Sequence, residues 1–335
     1  MVKSRRDRRL ERLQKKSMLS FSESKKPESS TQSDISMKSK KKGNFFSRIY
    51  EDHYKKLVLI PMLLLLLSFV VIGFNIAETG DFMNKAVSLK GGITLTIPTI
   101  TQEIDFKALE SNLKSDLSKG DLSVRELSEF GVQKGVIIEA SGVEEDELLA
   151  STKKAVGDFG DSYSLENLGP SLGASFFKQM MFAVILAFIF MGIVVFLYFK
   201  TFVPSVAVML AAFSNIVIAL AVTDLLGMKI SAAGIAAFLM LIGYSVDTDI
   251  LLTTRVLKRK EGTLMERIYG AMKTGLTMNI TTIVAVTIAL IVTNSDVIAQ
   301  IMTIILIGLM ADIVNTWIQN VAILRYYLEK KGIKE

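Results

Sequence analysis

Apolar runs long enough to cross about 30 Å of hydrocarbon recur six times, at 57–74, 180–199, 203–222, 230–252, 274–292 and 298–321, the fifth being the weakest. A polar stretch of roughly a hundred residues separates the first run from the second, whereas the other connections are short. The pattern is one span, a domain, then five spans.

The polar stretch carries its own periodicities. Residues 93–98 alternate apolar side chains with threonine, as a strand does, and 105–117 place Phe106, Leu109, Leu113 and Leu117 on one helical face. Segments 124–130 and 136–140 read as two further strands, 144–159 as a second helix and 162–168 as a last extended segment. The order β-α-β-β-α-β is that of a split-βαβ, ferredoxin-like α+β domain. The expected divisions are a basic disordered tail at 1–50, a first transmembrane helix at 51–75, the α+β domain at 76–176, a five-helix transmembrane bundle at 177–330 and a C-terminal end at 331–335.

Charge sets the expected orientation. About 17 basic residues precede Leu57, and Lys200, Arg255, Lys258, Arg259, Arg267, Arg325 and Lys330 fall at alternate ends of the later spans. The positive-inside rule makes those ends cytoplasmic, so both termini lie inside a cell membrane and the α+β domain outside. The tail has too little apolar matter for a core; beside a span it reads as an orientation signal that meets lipid head groups, with no specific nucleic acid.

Composition narrows the chemistry. Half of the 335 residues are hydrophobic, yet 39 basic stand against 33 acidic side chains, with one histidine and no cysteine. That excludes a disulfide framework, a thiol nucleophile and a thiolate metal site. A Walker loop, an H-E-x-x-H helix and a dinucleotide loop are missing as well, so no enzymatic activity, cofactor or metal is expected.

Polar groups inside spans are then the informative residues, since an ionised side chain near mid-bilayer costs about 2.5–3.5 kcal/mol on insertion scales. The fourth span holds Asp247 and Asp249 within GYSVDTD, with Ser245 and Thr248 beside them. The fifth brings Asn279, Thr281 and Thr282, and the sixth Asp312 and Asn315, to a similar depth. Such a layer suits a proton or cation relay: carboxylates that load and unload, linked by hydroxyls and amides. Two positions on a regular helix differ by about 200°, so Asp247 and Asp249 are not expected to face the same partner.

These features together resemble the SecF branch of the SecD/SecF protein-export family, in its archaeal form. The resemblance covers about 57–330 and rests on LKGGITL at 89–95, with Gly91 and Gly92; LGPSLG at 168–173, with Gly169; GYSVDTD at 243–249, with Gly243; and TTR at 253–255. It implies half of an RND-like pseudo-dimer completed by SecD, working with the SecY/SecE translocon on an unfolded secretory polypeptide and drawing on the proton motive force. The family's bacterial pattern has an acid at Thr248, an arginine at Thr274, where Lys273 is the neighbour, and an acid at Ser88. Asp247 and Asp249 flank the first of these positions, and either inherits the role. A passive assembly subunit of the translocon and a half-size transporter of small molecules are the alternatives.

Overall fold

The computed structural model describes residues 53–98, 104–117, 121–129, 132–160, 162–259, 261–293 and 295–332. The basic tail expected at 1–50 lies outside these residues. Among the described residues, six helices are long and apolar enough to cross a membrane. The first is α1 (Leu59–Thr79), preceded by one turn at Tyr54–Leu57. A single turn, α2 (Val87–Lys90), leads into β1 (Gly92–Ile97), α3 (Phe106–Asp116), β2 (Asp121–Glu129), β3 (Val132–Ser141), α4 (Glu145–Val156) and β4 (Ser164–Leu168). Then come α5 (Pro170–Phe199), α6 (Phe202–Leu225), α7 (Ala232–Lys258), α8 (Leu264–Val292) and α9 (Asp296–Val314), which passes through a π-helical turn (Asn315–Asn320) into α10 (Val321–Lys330).

The helices outrun the apolar segments. The second span starts ten residues before Met180, and the fifth ten before Thr274, because a backbone hydrogen-bond ladder continues into polar sequence where caps satisfy its ends. Thr263 and Glu266 form such a capping box at the start of α8. The fourth span, not the fifth, is the least apolar, since it holds the two acids.

The four strands form one antiparallel sheet in the order β2-β3-β1-β4. Alternation in β1 turns Ile93, Leu95 and Ile97 into the core and leaves Thr94 and Thr96 half-exposed. Leu109 and Leu113 of α3 and Leu148 of α4 join Leu122, Val136 and Ile138 in the same cluster. Asp105 caps α3, its carboxylate accepting from the backbone N–H groups of Lys107 and Ala108 at 3.0 and 3.3 Å.

The chain enters and leaves the α+β domain through one glycine junction. Gly91 has φ +82°, and a Cβ there would lie 2.5 Å from the Cα of Pro170; a Cβ at Gly173 would lie 2.4 Å from the Gly91 nitrogen. Two backbones are therefore in direct contact where α2 meets the start of α5. Gly92 has φ +147° and a Cβ there would lie 2.3 Å from the Ala140 carbonyl oxygen, so the sheet requires glycine; Gly169 and Gly243, the remaining predicted motif glycines, have open space where a Cβ would stand, so packing does not demand glycine at either.

Away from that junction the domain is held to the bundle by hydrogen bonds and ion pairs. Ile230 donates its N–H to the Asn84 carbonyl at 2.6 Å, and Ala86 donates to the Ile230 carbonyl at 2.9 Å. Lys229 meets one oxygen of Asp121 at 2.6 Å, Lys90 meets the other at 3.2 Å, and Arg125 lies 3.6 Å from Asp296. Partial burial alone would raise the Asp121 carboxyl, but the hydrogen bonds and charges of Lys229 and Lys90 outweigh it and hold it below its ordinary value. The stabilisation from this carboxylate is complete above its unfolded pKa, about 3.9, and is lost as pH falls through the lower folded one. Spin labels at Ser123→Cys and Ala299→Cys, in a chain with no other cysteine, should keep one separation down to about pH 4 and broaden below it. Lys229→Ala should broaden it at neutral pH.

Candidate functional site

α6, α7 and α9 form the inside of the bundle, and α1, α5 and α8 present mostly exposed apolar side chains. Asp312, on α9 and buried, is the centre of a polar cluster. Its Oδ1 accepts from Asn215 Nδ2 of α6 at 2.8 Å and from Thr316 Oγ1 at 3.1 Å. Its Oδ2 accepts from Asn279 Nδ2 of α8 at 3.1 Å and lies 3.0 Å from Thr248 Oγ1 of α7. Four donors from four segments therefore converge on one buried carboxyl group, which satisfies both of its oxygens away from water.

Asn215 extends the cluster. Its second amide hydrogen goes to Ser245 Oγ at 2.7 Å, and its Oδ1 accepts from Asn315 Nδ2 at 2.6 Å. The π-helical turn arranges one side of this network. By widening the helix at Asn315–Asn320, it aims Thr316 at Asp312 and Asn320 at α7; such single wide turns are frequent at functional sites. Gly275 of α8 makes room for Trp317 of the same turn, since a Cβ there would lie 2.3 Å from the indole ring.

Asp249 is as buried as Asp312, at 0% exposure, but differently served. Its Oδ1 accepts from Asn320 Nδ2 at 2.7 Å, while Oδ2 has no hydrogen-bond partner among the described residues. Thr253 Oγ1, one turn further along α7, and Gln319 and Asn320 Oδ1 on the π-helical turn are buried and have no hydrogen-bond partner among the described residues either. The two acids thus divide: Asp312 receives donors at both oxygens, whereas Asp249 receives Asn320 at one oxygen and has the Thr316 hydroxyl, which it shares with Asp312, close by.

The expected layer is largely assembled. Ser245, Thr248, Asp249, Asn279, Asp312 and Asn315 are all buried. Three expected members stand elsewhere. Thr281 and Thr282 turn their hydroxyls back to carbonyls of α8 itself, at Thr277 and Met278, because their helical phase points them away from Asn279. Asp247 is exposed, in a stripe with Met240, Gly243 and Tyr244 along the outside of α7. Asn215, Thr316, Gln319 and Asn320 were not singled out from the sequence. An asparagine within the apolar run of α6 was a usable signal for the first of them, since buried amides in spans are costly unless paired. Among the described residues no three acidic or imidazole groups cluster in a way that could hold a metal ion.

Residues 149–330 match the family model described as protein export membrane protein SecD/SecF, C-terminal. The chain is 40% identical over 292 residues to the protein-export membrane protein SecF of Methanocaldococcus jannaschii, covering 84% of this chain and 98% of that one. It is 39% identical over 290 residues to the SecF of Methanothermobacter thermautotrophicus, covering 83% and 94%. Among solved structures it is similar to SecDF, a translocon-associated membrane protein from Thermus thermophilus, with a TM-score of 0.64 at 17% identity. That match covers 85% of this chain and 38% of the longer SecDF chain. A six-span bundle with an intervening α+β domain, and a sequence shared over more than four fifths of its length with two SecF proteins, place the chain in the SecF branch of the SecD/SecF family of protein-export membrane proteins.

Proposed function

We propose that the chain is an accessory subunit of the Sec export machinery that pairs with SecD, acts beside the SecY/SecE translocon and couples ion movement to the passage of unfolded secretory polypeptides. In this reading both termini are cytoplasmic, the α+β domain is a ferredoxin-like module on the outer face, and the bundle is half of an RND-like pseudo-dimer. The observation that carries the coupling is the unequal pair of buried acids. Asp312 is fixed by four donors, and Asp249 has one oxygen without a hydrogen-bond partner among the described residues, with the Thr316 hydroxyl nearby.

Asp249 is the group that takes up and releases the ion. When a proton sits on its free Oδ2, the Asn320 bond to Oδ1 is retained; when the proton leaves, the charge is borne beside Asn320 and Thr253. The π-helical turn responds, since Asn320 and Thr316 tie it to both carboxylates and a wide turn relaxes to α-helix by a one-residue shift. Asp247 has another part. An acid on the outer face of an apolar helix costs about 2.5–3.5 kcal/mol against lipid, so the stripe through Met240, Tyr244 and Asp247 is assigned to the SecD seam.

Pulse-chase export of a secretory precursor tests this. Asp249→Asn should co-purify with its partner at normal levels yet export slowly and without response to the proton gradient; Asp247→Asn should weaken the pairing itself. Normal, gradient-dependent export in both variants would sink the relay and favour a passive assembly subunit. Substrate-dependent flux in the absence of a SecD-like partner would favour the small-molecule transporter instead.

A further inference from the structure

We infer that one hydrocarbon chain of a phosphate-bearing membrane lipid lies in a slot between α1 and α5, in the half of the bundle nearer the α+β domain, with its phosphate held at Lys178. Site and ligand are independent of the buried acids and of the export reading above.

α6 belongs to the inside of the bundle, yet Val206, Met209, Phe213, Ile216 and Leu220 stay exposed or half-exposed along it. They follow one another at three and four residues, which on a helix makes a stripe about one side chain wide. α1 and α5 each pack on α6 and scarcely on each other. They flank the stripe: the Phe213 ring stands 6.4 Å from that of Phe69 on α1 and 6.3 Å from that of Phe188 on α5. Towards the α+β domain the slot deepens into a pocket of about 50 Å³ whose lining is wholly apolar. Its walls are Met181 and Val184 of α5 and Phe82 and Met83, which follow α1, with Ile235 and Phe238 of α7 behind.

Width, length and charge select the occupant. A slot one side chain wide does not admit a further helix, about 10–12 Å across, and an apolar lining gives water nothing to bond; a hydrocarbon chain suits both. From Lys178 to Phe188 is ten residues of α5, about 15 Å at a helical rise of 1.5 Å, which is half of the roughly 30 Å hydrocarbon layer. The rings of Phe69, Phe213 and Phe188 therefore close the slot where the chains of one leaflet end. At the other end, the apolar run of α5 begins at Met180. Lys178 is exposed just before it, three residues from Met181 and so on the same side of the helix, with no ion pair among the described residues. On the α1 side Lys85 is taken up by Asp81 at 2.7 Å and by the face of the Phe177 ring at 4.4 Å. Glu78, near the end of α1, keeps a phosphate towards α5.

The test uses the full chain with its co-purified partner in maltoside micelles, which contain no phosphate. The probe is a phosphatidylglycerol carrying a diazirine midway along one chain, and labelled peptides are mapped by mass spectrometry after irradiation. Saturable labelling at 181–184 and 216–220 is expected, above that of the exposed apolar face of α8 at Ile280, Val284 and Ile288. Unlabelled phosphatidylglycerol and phosphatidylcholine should displace it, and a diacylglycerol at the same concentration should not. Leu220→Trp, which fills the pocket, should abolish the saturable labelling and leave that of α8 unchanged. Lys178→Gln, at an exposed position that folding does not depend on, should weaken it about fivefold, the worth of one lysine beside a phosphate surface. As a further arm, a benzophenone is attached at Phe213→Cys in this chain without other cysteines. Labelling no greater in the slot than on α8, displacement by diacylglycerol as readily as by the phospholipids, indifference to Lys178→Gln, or cross-linking from position 213 to the partner chain in place of lipid would each overturn the inference.

Discussion

Asp312→Asn should destabilise the protein almost as much as Asp312→Ala, while Asp249→Asn should leave stability close to that of the unaltered chain. The prediction follows from what each carboxylate receives. Asp312 accepts at both oxygens from Asn215, Thr316, Asn279 and Thr248. An asparagine would keep one accepting oxygen and set an NH2 group against two donors, so shape is preserved and chemistry is inverted. Interhelical hydrogen bonds in membranes average about 0.6 kcal/mol, because separated helices find other partners. Four on one residue then amount to on the order of 2–3 kcal/mol, and donors facing donors add the cost of burying them unpaired. Asp249 is the contrast: the oxygen that becomes an amide has no hydrogen-bond partner within range among the described residues, and the bond from Asn320 to the other oxygen survives. Heating detergent-solubilised samples and measuring the monodisperse fraction would rank the three variants. An Asp312→Asn protein as stable as the unaltered chain would show that the convergence of donors carries no energy.

Gly91→Ala and Gly173→Ala should each prevent stable accumulation of the chain, and Gly169→Ala should not. At Gly91 the methyl group would fall 2.5 Å from a backbone carbon of Pro170, and at Gly173 2.4 Å from a backbone nitrogen of Gly91. Neither neighbour is a side chain that could rotate aside. Gly91 also has φ +82° and ψ 155°, an extended positive-φ region essentially restricted to glycine, where another residue costs on the order of 1–3 kcal/mol before any clash, and overpacking adds typically about 1–3 kcal/mol. Gly169 has φ −57° and ψ 143°, an extended conformation that suits any residue before proline, and nothing lies within reach of a methyl there. Membrane-fraction immunoblots and protease resistance of the α+β domain give the readout. Wild-type accumulation of Gly173→Ala would mean that the two backbones separate easily, and that the junction is a loose tether.

These expectations draw on two kinds of information in the chain. Span number, the position of the α+β domain and the order of its elements are properties of residue sequence alone, because transfer into hydrocarbon and the 2.0 and 3.6 periodicities are local. The acids were visible for the same reason: a carboxylate inside an apolar run is costly wherever it points. Direction was another matter. A helix turns about 100° per residue, so the choice between Asp247 and Asp249 depended on how α7 is rotated against α6 and α9, which is settled by packing. The same phase put Asn279 inside and left Thr281 and Thr282 with their own helix. Asn215 acquired its place only when folding brought it to Asp312, 97 residues away, and the π-helical turn has no local sequence signature comparable to a cap. The tie between the α+β domain and the bundle likewise depends on Lys229 meeting Asp121 across 108 residues. Residue order states which groups must be buried or paired, since that cost attaches to each side chain wherever it lies. Which partner each one finds follows from helix rotation and contact across the bundle, and no single segment encodes either.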